Sequence, residues 1–177
     1  MALLLAEVIL VYPLGPYTLS AVWHLAHGNR VIGLGLSTPV PLGWFARSKS
    51  EGLSLVKVSP VGIPLMFRFE TIDLRPLPRR EGLSQEEIED LWRSGAFHNQ
   101  IGEFVVKRSQ TLRVAGREAV CRETIAVGPK DRLEDSLAAV CVIRGTIAVY
   151  FWGERNRIPE FCNLLEGIRA LPEAPGL

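Results

Sequence analysis

The chain has 177 residues, long enough for one domain to bury most of its apolar surface without metal or disulfide staples. With 47% hydrophobic and 22% charged residues, it has the composition of a folded protein and not of a disordered one. Its net charge is +1 with the two signs interleaved, which excludes the broad basic face that nucleic-acid binding requires; only Arg75, Arg79 and Arg80 cluster, and they read as a solvated loop.

Residues 1–29 form an apolar N-terminal segment with no Lys or Arg. Ala2 to Tyr12 resembles the core of an export signal, yet the basic start is missing, Glu7 interrupts it, and Thr18 to Ala21 is only a partial cleavage site. A degenerate export signal and a buried cover for a sheet are both open readings. An exported or envelope location and a cytoplasmic one stand open with them. Glu7, Pro13, Gly15 and Pro16 break the run short of the ~20 apolar residues a bilayer requires, so no integral membrane span is expected.

Residues 30–171 read as a single α+β domain, an antiparallel sheet flanked by a short helix and a C-terminal amphipathic helix, with 172–177 as a tail. Arg30 to Ser37 reads as a first strand. Thr38 to Trp44 reads as a rigid turn, because Pro39 and Pro41 exclude helix and central strand. Leu53 to Ser59 and Pro64 to Leu74 are strands, the second alternating Leu65, Phe67, Phe69 with Met66, Arg68, Glu70, while Pro60 and Pro64 set Val61 to Ile63 outside the ladder. Arg75 to Gly82 is a polar loop.

Ser84 and Glu87 make a capping box, followed by Ile88, Leu91 and Trp92 at helical spacing and by Gly95 as a stop. Glu103 to Val114 and Arg117 to Val127 form a hairpin across Ala115–Gly116, and Leu137 to Ile143 and Thr146 to Trp152 a second across Arg144–Gly145. The strands of this second hairpin are apolar on both faces, so they must be central and covered twice. One cover is a C-terminal helix opened by Pro159 and carrying Phe161, Leu164, Leu165, Ile168 and Leu171. The other is the N-terminal segment, the helix at Ser84 to Ser94, or a second subunit.

Chemistry-bearing residues are sparse. His24 and His27 would share one helical face as a metal pair does, but no third ligand lies near them in sequence, so they read as surface or capping residues; His98 falls in a loop. Glu86, Glu87, Glu89 and Asp90 read as the solvated face of a helix N-terminus, not a metal cluster. Cys121, Cys141 and Cys162 read as buried small hydrophobes, with a Cys121–Cys141 interstrand disulfide as the sharper alternative. Gly33 and Gly35 lack the third glycine and the helix of a dinucleotide fingerprint. No phosphate loop and no G-x-S-x-G elbow occur. No catalytic, cofactor-binding or metal residue is assigned, and no cofactor is expected.

Three stretches resemble the PsbP-like superfamily. Pro41-Leu42-Gly43-Trp44 is similar to its "P-x-G-W" turn, Leu112 to Ala119 to its "V-x-G-x-x-A" strand, and Val149-Tyr150-Phe151 with Phe161, Leu164, Leu165 and Arg169 to its closing strand and helix. The resemblance covers Arg30 to Ala170 and implies that fold, together with a non-enzymatic protein-binding or accessory role whose partner is another protein or a second copy. The alternative is a small-molecule binding protein that uses a sheet face lined by Trp44, Phe69 or Trp152. An enzyme with a dispersed site is a third reading, marked by a pocket holding His98 or His24 beside a carboxylate.

Overall fold

The computed structural model of the chain describes residues 15, 17–49, 52–61, 66–77, 81–94, 104–126, 137–143 and 147–172. Helix α1 (17–27) leads into β1 (Arg30–Gly33) and β2 (Leu36–Pro39). There follow β3 (Trp44–Lys49), β4 (Gly52–Val61), β5 (Met66–Pro76) and helix α2 (Gln85–Ser94). The second half contains β6 (Phe104–Val114), β7 (Arg117–Ala126), β8 (Leu137–Ile143) and β9 (Ile147–Trp152), then a 3₁₀ turn at Arg155–Arg157, helix α3 (Ile158–Glu166) and β10 (Arg169–Ala170). This is an α+β fold with two antiparallel sheets, one of order β1-β2-β10 and one of order β3-β4-β5-β9-β8-β7-β6.

The doubly apolar hairpin β8–β9 lies in the middle of the seven strands, as its composition requires, and every residue of β8 is buried. On one face Leu55, Ile72, Leu74, Val149 and Phe151 pack with Phe161, Leu164 and Leu165 of α3. On the other, Val140, Val142 and Ala148 pack with Leu77 and Ile88, and Leu83 and Leu91 close the rim. The second cover is therefore the chain's own α2. Its start is the expected capping box: the Ser84 amide donates to Glu87 Oε2 at 2.7 Å, and the Glu87 amide donates back to Ser84 Oγ at 3.3 Å. Trp92's side chain and Gly95 lie outside the described residues.

Helix α1 is integrated as well. Ser20 is buried in α1, donating its hydroxyl to the Trp44 carbonyl at 2.8 Å and accepting from the Gly43 amide at 3.0 Å. Trp23 packs against the main core, whereas Leu19, Val22 and Leu25 are exposed. Residues 1–14, which hold the apolar run, lie outside the described residues, as do the turn at 144–146 and the links 62–65 and 127–136.

Five boundaries differ from the sequence reading. Arg30 to Ser37 is not one strand but a hairpin, because Leu34 and Gly35 take φ of 55° and 70° and reverse the chain between β1 and β2. Pro39 sits in β2, the central strand of the small sheet, and Pro60 sits within the β4 ladder. In each case the strand has outrun one neighbour: β10 reaches only Leu36 and Ser37, and β3 begins opposite Lys57. No partner is waiting there for the amide that proline lacks. Arg75 and Pro76 prolong β5 instead of opening a loop. Finally, α3 stops at Gly167, and Arg169 and Ala170 turn back to pair with β2, so Leu171 leaves the helical stripe and its amide bonds the Gly35 carbonyl.

Candidate functional site: a cleft between the sheet and helix α3

Strand register sets the floor of a cleft. Opposed residues of antiparallel neighbours share a face, so the pairs Trp44–Lys57 and Lys57–Glu70 align an indole, an ammonium and a carboxylate in one row. The adjacent row, Leu55, Ile72 and Phe151, is apolar. Helix α3 overhangs both rows with Phe161, Leu164 and Asn163, and the Phe161 ring stacks on Phe151 with centroids 5.1 Å apart.

The outer wall is the link Pro39 to Leu42. It is held by a β-turn in which the Trp44 amide donates to the Pro41 carbonyl at 3.1 Å. Gly43 takes φ of 88° at the third position of this turn, a conformation that disfavours any side chain. Together these surfaces border a half-open cleft of about 500 Å³, within the range of small-molecule pockets.

Charge is concentrated at one end. Glu70 is 3% exposed. Its Oε2 lies 3.6 Å from Lys57 Nζ and 3.5 Å from Arg157 Nε, and has no hydrogen bond within the described residues. Arg157 Nη2 donates to Glu160 Oε2 at 2.5 Å. Lys57, Arg157 and Glu160 line the cleft. Arg157 is also the N-cap of α3, and no side chain caps that helix start.

The residues singled out from sequence are dispersed. Trp44 lines the cleft, but Trp152 packs with the α2 side of the sheet, and Phe69, opposite Val58, is 58% exposed on that same side. One alternating parity on β5 thus separates Phe69 from the aromatic face it was grouped with. His24 sets Nδ1 2.9 Å from the Gly28 carbonyl and Nε2 3.2 Å from the Pro41 carbonyl. His27 sets Nδ1 3.1 Å from the Trp23 carbonyl and stacks on Trp23. Both therefore secure α1, and the cleft lining contains no histidine among the described residues; His98, Arg79 and Arg80 lie outside them.

In the acidic helix start, Glu89 departs from the solvated reading: it is buried, whereas Glu86, Glu87 and Asp90 are exposed. No group of metal-ligating side chains assembles among the described residues. Cys121 and Cys141 face each other on β7 and β8 and form a disulfide, so two of the three cysteines are not free hydrophobes. Cys162 is a half-buried thiol that accepts from Gln110 Nε2 at 2.9 Å, and burial pushes its pKa up.

The meeting of Lys57, Glu70 and Arg157 had no signal in the sequence, since 57 and 70 meet through strand register and 157 through the placement of the 3₁₀ turn before α3. The alternation of Arg68 and Glu70 with Phe67 and Phe69 marks β5 as two-faced, but it does not say which face a helix will cover. In comparison with known proteins, no family model matches the chain and no curated protein matches it significantly. No helix among the described residues is long and apolar enough to cross a membrane.

Proposed function

We propose that the protein is a non-enzymatic binding module that holds a small, largely apolar molecule in the cleft between the sheet and α3. The observation that carries this reading is the half-open cleft itself, with aromatic and aliphatic side chains from three directions and polar groups gathered at one end, the usual composition of a ligand site. The PsbP-like resemblance supports an accessory role over catalysis, and the "P-x-G-W" stretch that carries it coincides with the cleft wall. Helix α2 covers the second face of the β8–β9 hairpin, so that face needs no second subunit as its cover.

The test uses the neutral fluorescent probe N-phenyl-1-naphthylamine. Saturable binding at one site per chain is expected. Asn163→Trp, a change at an exposed position that fills the cleft mouth, is expected to abolish it while circular dichroism and thermal unfolding stay unchanged. Unaltered probe binding in the folded Asn163→Trp variant would overturn the reading.

A further inference from the structure

Resting on that reading of the cleft, we infer that its ligand is an organic monocarboxylate, with the apolar body against Trp44, Phe151 and Leu164 and the carboxylate between Lys57 and Arg157. The electrostatics of the closed end lead to this. Two cations converge on one carboxylate, Glu70, so the sheltered part of the cluster carries an excess of one positive charge. The compensating group, Glu160, has a side chain 64% exposed to solvent, against 17% for Lys57 and 4% for Glu70. A charge held out of water without a sheltered counter-charge is costly, and an anion entering from the cleft removes that cost.

Hydrogen bonding agrees with the charge count. An ammonium carries three N–H donors, and among the described residues the one polar contact of Lys57 is the 3.6 Å approach to Glu70. Arg157 already receives a carboxylate from the chain itself, Glu160, at a rim position from which that side chain can swing into solvent. Glu160 therefore holds the place of a ligand carboxylate.

The closing experiment compares decanoate with decan-1-ol by isothermal titration calorimetry on the full chain. Decanoate is expected to bind roughly tenfold tighter or more, the usual advantage of a charge-assisted hydrogen bond. Lys57→Met removes the preference, Lys57→Arg retains it, and Glu160→Gln tightens decanoate. Equal binding of the two probes by the native protein, or an unchanged ratio in a folded Lys57→Met variant, overturns the carboxylate assignment while leaving the cleft as a binding site. Binding of neither probe overturns both.

Discussion

Tyr150 shows how a single residue on the α2 side of the sheet reports its surroundings. Burial pushes its phenol up from 10.0 to about 12, opposed by the nearby Arg75 and assisted by Asp73. The Arg75 guanidinium lies 5.6 Å from the ring centroid and donates to the buried Asp73 at 3.0 Å. The folded state therefore holds the Tyr150 proton more tightly than the unfolded state does. Its contribution to stability is complete below pH 10 and is lost as pH rises from 10 to about 12, amounting to roughly 2 kcal/mol. Urea unfolding across that window is expected to show the decline, and Tyr150→Phe to flatten it; an equal decline in the variant would assign the effect to other groups.

At this same scale the sequence was informative where a residue's role is local. The Ser84–Glu87 capping box formed as read, because its partners are three residues apart. Glu89 was not legible. It carries the same charge as its neighbours, and its burial depends on where α2 is laid down.

Among the elements, α2 has the largest consequence, since it shields the face of β8 and β9 that α3 leaves open. Ile88, 1% exposed, is its anchor. Ile88→Ala is expected to lower unfolding free energy by about 2–4 kcal/mol, the ordinary cost of a truncated core aliphatic. Ile88→Asp should lift the helix and expose Val140, Val142 and Ala148, read as increased binding of a hydrophobic dye before global unfolding. If Ile88→Asp unfolds the whole chain in one step, α2 is part of the cooperative core and not a separable cover.

The elements that composition marks strongly, the hairpins β6–β7 and β8–β9 and the start of α3, were legible because their apolar runs, turn residues and Pro159 lie side by side in the chain. The elements misread were those whose state depends on a distant neighbour. Pro39 and Pro60 are permitted in strands only where the adjoining strand stops short, and β10 exists only because β2 offers an edge near the end of α3.

For the molecule as a whole, the Cys121–Cys141 disulfide and the β5–β9 pairing join regions that are far apart in sequence. The disulfide closes a loop with a sequence separation of 20, worth about 3 kcal/mol of denatured-state entropy in the chain-closure account. The Cys121→Ala/Cys141→Ala double variant should lose about that amount in urea unfolding, and reductant should lower the midpoint of the native protein but not of the variant. No shift on reduction would mean that the bridge is open in solution.

The amino-acid sequence by itself determined the class of this protein. A sheet whose last hairpin is apolar on both sides has to be central and doubly covered, and an amphipathic C-terminal helix has to be one of its covers, since both follow from the free energy of removing apolar surface from water. Only the tertiary structure decided what the second cover is, which cysteines are bonded, and that Lys57, Glu70 and Arg157 meet at the end of a cleft. These depend on strand register and helix placement. Both are set by the sum of many distant contacts, and a one-residue shift of β4 or β5 would turn Lys57 or Glu70 to the other face.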